Sequence, residues 1–244
     1  MPGYSFFIDT SKCTGCRACQ AACKQWNQNP VTPTFQQGSY QNPPDLDAGT
    51  FKLVRFNEEK LPGQDPELFF FPEQCRHCIY PLCKIAADKN APGSIVIDPQ
   101  TRAVIFDPKV KVSPEAFREI REICPFDIPR YDHKTGGMNK CTMCNDRVRE
   151  GMQPACVQTC PTGAMSFGDR KEIVQQARNR LSALRRTDRR AQLIDPEAIR
   201  VIYLVKNHPE KYYEFALAKP PAGVTRMAAI KGLLGGLATY LGLS

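Results

Sequence analysis

An α+β fold of short strands, hairpins and helices wrapped around metal is what this sequence predicts, and three observations carry it. Its 244 residues include twelve cysteines, about one in twenty, gathered in tight runs. Short β-branched and aromatic stretches sit between turn-rich segments. Two amphipathic stretches, the first capped by Ser113, supply the helical part.

The first cysteine run organises the rest. Cys13, Cys16, Cys19 and Cys23 fall within eleven residues with no histidine among them. Such spacing lets a short loop place three thiolates on one cubane, while the fourth serves a second cluster. Zinc, the competing reading, takes pairs of ligands set well apart, often with histidine. Iron–sulfur chemistry is therefore expected. Cys75, Cys78 and Cys83 form a second run; Cys141 and Cys144, then Cys156 and Cys160, form the last; Cys124 stands between them.

Residues 25–50, rich in Asn, Gln and Pro, read as a surface-wrapping loop. Residues 51–56 alternate apolar and basic side chains, which predicts a strand with one buried face. Residues 68–71 are apolar throughout and predict a more buried strand. The runs 94–98 and 103–106 flank a turn-rich tetrapeptide and read as a hairpin. Ser113 as N-cap, Pro114 in the first turn and Phe117, Ile120 and Ile123 on one face predict a helix over 113–123. A second, amphipathic helix is expected over 169–186, with Ile173, Ala177, Leu181 and Leu184 on its apolar face. Residues 201–205 read as a closing strand. Residues 227–243 carry a single charge, Lys231. That stretch fits a membrane span, a helix on a membrane or partner surface, or a helix buried on this chain's own body.

The N-terminus shows neither the charged region nor the apolar core of a signal peptide. The formal charge of +8 invites a nucleic-acid reading. Three four-iron clusters of about −2 each would bring it to about +2, so no nucleic-acid partner is expected. Lys12, Arg17, Lys24, Arg76 and Lys140, which flank the ligand runs, are expected to offset cluster charge. There is no GxGxxG fingerprint and no nucleophile elbow. His77, His133 and His208 are isolated, and His77 reads as a hydrogen-bond donor behind the ligands or a surface residue.

The segments 141–147, 154–164 and 124–130 resemble the ferredoxin-type electron-transfer subunits of molybdopterin oxidoreductases, over residues 4 to 217. Members of that family carry four runs of four cysteines, first paired with fourth and second with third. The last cysteine of each run crosses to the other cluster. The resemblance implies two pseudo-symmetric bacterial-ferredoxin-like units. Residues 1–24 with 136–170 would hold two clusters, and 51–135 one cluster and a helix-filled vacant site. Around them lie the loop 25–50, a helix and strand in 171–218, and the tail 219–244.

Carried over by position, one cluster takes Cys13, Cys16, Cys19 and Cys160. A second takes Cys141, Cys144, Cys156 and Cys23, and a third takes Cys75, Cys78, Cys83 and Cys124. The family's remaining ligand positions are occupied here by Ala87, Pro114, Phe117 and Ile120, one complete set. Three [4Fe-4S] clusters are therefore expected.

Residues 22–26, 41–44, 52–55, 70–78 and 200–202 narrow the resemblance to the iron–sulfur (beta) subunit of tungsten or molybdenum formate dehydrogenases. That implies a non-catalytic electron-transfer subunit in a heterodimer with a large metal–pterin catalytic subunit. The acceptor would be a cytochrome or a membrane cytochrome subunit. Docking is expected near the second ligand run and the 94–106 hairpin, drawn by Arg76 and Lys84. The resemblance also implies periplasmic location by export with the catalytic subunit, a cytoplasmic complex being the alternative. The equivalent subunit of a hydrogenase or sulfur-compound reductase is a second reading. A stand-alone redox sensor would need a further module after Cys160, and none is visible.

Overall fold

The computed structural model describes residues 2–219 apart from 61 and 64, so the apolar stretch 227–243 lies outside the described residues. Among the described residues no helix is long and apolar enough to cross a membrane.

The chain enters along β1 (Tyr4–Asp9) and turns into α1 (Ala18–Trp26). A loop follows to a long hairpin, β2 (Leu53–Glu59) and β3 (Glu67–Glu73). Helix α2 (Leu82–Asn90) leads to the hairpin β4 (Ile95–Ile97) and β5 (Val104–Phe106), then to α3 (Pro114–Glu122). A third hairpin, β6 (Arg130–Asp132) and β7 (Gly137–Asn139), precedes two short helices, α4 (Asn145–Arg149) and α5 (Ala155–Gln158). Strand β8 (Met165–Asp169), helix α6 (Arg170–Leu184), β9 (Gln192–Ile194) and β10 (Val201–Val205) complete it.

Four strands form one sheet in the order β8-β1-β10-β9, with β1 parallel to β10. Strand β10, expected to close the fold, is interior to this sheet, and all five of its residues are buried. Period-two alternation decides what each face meets. Phe7, Ile202 and Leu204 pack under Ile173 and Ala177 of α6. Phe6, Ile8, Val201, Tyr203 and Val205 face the opposite way, into the core that contains most of the buried cysteines. Thus α6 covers one face of the sheet, and the thiol-rich core covers the other.

The helix expectations hold in detail. Ser113 caps α3 by accepting from Ala116 N at 3.2 Å, with Pro114 in the first turn. Asp169 caps α6 by accepting from Lys171 N at 2.8 Å. The 94–106 hairpin also forms as expected.

The 51–56 stretch, which runs into β2, departs from its expected one-sided burial, because Lys52 just before the strand and Arg55 within it are 2% and 5% exposed. Alternation assigned both to solvent, but each finds a polar partner inside. Arg55 Nε donates to Glu73 Oε2 at 2.6 Å, its other end bonds Asp45, and its guanidinium stacks 4.3 Å from the Tyr213 ring. Lys52 is described below. Strand β3 is less buried than its apolar run suggests: Leu68 is exposed, and burial starts at Phe69.

Ala87, Phe117 and Ile120, three of the four positions where the resemblance would place further ligands, converge in one apolar cluster with Ile95, Val104, Phe106 and Met138. Pro114 does not join them; it stays exposed at the helix start. Where α2 meets α3 the interior is hydrocarbon, with Cys83 at its margin. Ile120→Ala is expected to cost about 2–5 kcal/mol of stability, as core truncations do. Denaturant titration at unchanged iron content would measure it.

Candidate metal centres

Three C-x-x-C turns begin the ligand loops, and all share one backbone device. The residue before the second cysteine is left-handed in each: Gly15 at φ 67°, His77 at φ 44° and Met143 at φ 64°. That conformation turns its N–H back onto the first cysteine. His77 N lies 3.3 Å from Cys75 Sγ, and Met143 N lies 3.4 Å from Cys141 Sγ. Gly15 N plays the same part toward Cys13. Only Gly15 adopts the turn without strain, and a Cβ there would meet Phe70 at 2.9 Å. His77 and Met143 carry the strain of about 1–2 kcal/mol that such backbones store at functional sites.

The thiols gather in three quartets. Cys13, Cys16, Cys19 and Cys160 line one small cavity. Cys23, Cys141, Cys144 and Cys156 line a second. Cys78 sits in the electrostatic field of Cys75, Cys124 and Cys83, which completes the third group. The sets carried over by resemblance are therefore the sets that lie together. Helices α1 and α5 explain the crossing of Cys23. Cys19 and Cys23, one turn apart on α1, open onto different quartets, as do Cys156 on α5 and Cys160 just beyond it. Trp26 and Arg147 clamp this region, the guanidinium 4.1 Å from the indole ring.

The second quartet neighbours each of the other two. Cys156 feels Cys19 of the first, and Cys141 feels Cys75 of the third. All four thiols of the second are buried, whereas Cys16 of the first is exposed and Cys78, Cys83 and Cys124 of the third are half-buried. One quartet lies deep, and the other two reach toward the surface.

Burial pushes Cys13 and Cys124 up to about 11, and Cys141 and Cys156 up to about 12. Cys160 goes the other way. Its burial is outweighed by bonds from Thr162 and from the Ala164 and Met165 backbone. Thiols raised so far stay protonated at neutral pH unless a metal takes their protons' place. Among the described residues, no group of three or more His, Cys, Asp or Glu side chains closes on a single ion. Thiols grouped in fours without closing on a single ion, two of the quartets around a cavity, fit a multi-iron cluster better than a tetrahedral zinc ion, which four thiolates would grip directly.

The charged residues settle differently from expectation. Arg76, expected on a docking surface, is fully buried. Its guanidinium lies 4.9–5.1 Å from the rings of Phe71, Phe126 and Tyr203 and donates to Gln74 O. Lys84 is tied to Asp88 at 2.7 Å. Neither forms an open basic patch beside the second run, so that basis for docking is withdrawn. His77 is fully buried as well, with Nδ1 accepting from Val104 N at 3.0 Å, which removes its surface reading. Lys24 ties down the 25–50 loop through Thr32, Gly49 O and Thr50, and Lys140 Nζ bonds Val104 O and Cys141 O.

Lys52 is the site-lining residue that sequence reasoning missed. It lines the second cavity together with Gln74. Burial pulls its pKa down, but the thiols of Cys156, Cys19 and Cys141 outweigh burial and raise it. No sequence signal marked it, because alternation placed it outward.

The model of a 4Fe-4S dicluster domain matches residues 66–170, and that of a 4Fe-4S binding domain matches residues 4–25. The chain is 47% identical over 213 residues to a formate dehydrogenase subunit beta of Megalodesulfovibrio gigas, covering 87% of this chain and 98% of the relative. It is 47% identical to formate dehydrogenase 2 subunit beta (cytochrome c-553) of Nitratidesulfovibrio vulgaris, over 87% of this chain and 97% of that one. The nitrate-inducible formate dehydrogenase iron-sulfur subunit of Escherichia coli is 35% identical over 97% of this chain and 81% of its own length. With such identity over nearly the whole length of the first two relatives, and with its cysteines gathered in quartets, the chain belongs to the family of iron–sulfur (beta) subunits of formate dehydrogenases.

Proposed function

We propose that this chain relays electrons through three [4Fe-4S] clusters between a metal–pterin subunit that interconverts formate and carbon dioxide and an external acceptor. The observation that carries it is the set of three all-cysteine quartets. Cys13, Cys16, Cys19 and Cys160 would hold the first cluster. Cys23, Cys141, Cys144 and Cys156 would hold the second, and Cys75, Cys78, Cys83 and Cys124 the third. Each cluster, when bound, accepts and returns one electron at a time.

The protein's part is to hold sulfur ligands in place and keep water from the middle station. The αL turns aim N–H groups at the first sulfur of the second and third runs, the kind of bond that tunes a cluster from behind its ligands. The apolar packing of Ala87, Phe117 and Ile120 supports three clusters and not four. The two outer quartets reach the surface, which suits them to exchange electrons with partners. One faces the catalytic subunit and the other a cytochrome, the acceptor suggested by the cytochrome c-553 in the name of one relative. In this reading the complex works in the periplasm, exported together with its catalytic subunit.

Iron and acid-labile sulfide analysis of the anaerobically purified complex tests the count, once the partner's own content is subtracted. About twelve iron atoms per chain are expected, four per cluster. A value near sixteen, or a native three-iron signal, would overturn the assignment.

A further inference from the structure

Lys52 and Gln74 sit where charge matters most to the middle quartet. Both side chains are buried, and both line the cavity ringed by Cys23, Cys141, Cys144 and Cys156. Lys52 Nζ donates to Gln74 Oε1 at 2.5 Å and approaches Pro72 O at 3.5 Å. With its oxygen taken by the ammonium, Gln74 keeps its Nε2 hydrogens, and that atom is buried with no hydrogen-bond partner among the described residues. No carboxylate among the described residues forms an ion pair with Lys52. Taking an ammonium out of water without a counter-charge is costly. The thiols nearest to it supply that charge once deprotonated, those of Cys156 and Cys19 before the others.

We infer that Lys52 and Gln74 form a charged donor couple that raises the reduction potential of the cluster held by Cys23, Cys141, Cys144 and Cys156, and to a lesser degree that of its neighbour on Cys13, Cys16, Cys19 and Cys160. Reduction adds one electron to a cluster and so one negative charge. A fixed ammonium beside it favours that state, and Gln74 passes on the polarisation through its free N–H groups. Position makes the effect selective. The couple belongs to the wall of the second cavity, while Arg76 acts on Cys78 of the third quartet. Lys140 lies between Cys141 and Cys83, outside that wall, with its ammonium bonded to the carbonyls of Val104 and Cys141. The deepest cluster thereby becomes an electron reservoir that its more exposed neighbours fill and drain. The couple tunes rather than ligates, since neither side chain replaces a cysteine.

The inference rests on the three-cluster reading, and redox titration of the whole complex followed by electron paramagnetic resonance separates the two. Each midpoint is assigned to its quartet through the ligand variants Cys16→Ser, Cys144→Ser and Cys83→Ser. An iron content that fails in the parent complex counts against the three-cluster reading. In a loaded Lys52→Met complex, the reduced-to-oxidised ratio of the second cluster at fixed potential should fall by at least about tenfold, equal to about 59 mV for one electron. The first cluster should follow by less, and the third should not move. Lys52→Arg should keep the parent value, because the charge remains. Gln74→Leu should lower the second cluster alone, and it decides the matter if Lys52→Met loads too little iron. An unmoved second midpoint in a loaded variant, or an equal shift of all three, overturns the inference.

Discussion

Replacing Cys156 with alanine is expected to cut formate-driven reduction of the physiological acceptor by more than about a hundredfold, beyond what loss of outer-shell support alone costs a metal site. Cys156 is buried, carried on α5, and belongs to the deep quartet between the other two. Removing it takes a ligand from the central station, and no other thiol is free to substitute, since the remaining cysteines all fall into quartets. Formate oxidation with a dye that collects electrons at the catalytic subunit should persist. The pair of activities, measured on the purified complex with its iron content, checks the central place of the second quartet. Undiminished transfer to the acceptor would mean that electrons bypass the second quartet.

The largest effect on stability is expected from Arg76→Ala. Arg76 is fully buried among Phe71, Phe126 and Tyr203. It donates to Gln74 O and to Phe215 O, and its own carbonyl accepts from Arg200 N and Val201 N at the start of β10. Glu73, also fully buried, is held by Arg55 and lies in the field of Arg76. Truncation leaves both a cavity and an under-compensated carboxylate, together about 3–5 kcal/mol. At roughly 2–4 °C per kcal/mol for a chain of this size, the melting temperature should drop by about 10 °C. Thermal unfolding of the complex, followed by cluster absorbance, would measure it. Arg76→Lys should not restore the parent value, because an ammonium cannot stack on three rings as a planar guanidinium does. A drop of less than about 2 °C would show that the aromatic box holds without the charge.

Local signals were legible wherever chemistry and geometry sit close in sequence. Ser113 and Asp169 cap helices because their side chains reach the next turn. The 94–106 hairpin and the mostly exposed loop over 27–42 follow from turn residues and from a lack of apolar side chains, whereas 43–50 turns inward at Leu46 and Thr50. Spacing alone, through Cys13, Cys16, Cys19 and Cys23, identified the kind of metal chemistry. What alternation got wrong were Lys52 and Arg55, and flanking position misjudged Arg76. A sequence pattern reports which face a residue should take, but not whether a buried partner waits there.

By itself, then, the sequence determined the ligand type, the helices α3 and α6 and the 94–106 hairpin, because each depends on neighbours a few residues apart. Only the tertiary structure decided which thiols share a cavity, which quartets adjoin, and where the buried charges lie. Cys160 meets Cys13 because β8 pairs with β1, and Lys52 meets Gln74 because β2 pairs with β3. Those contacts join segments far apart in the chain. Their energies come from burial and Coulomb interactions that exist only once the core has excluded water.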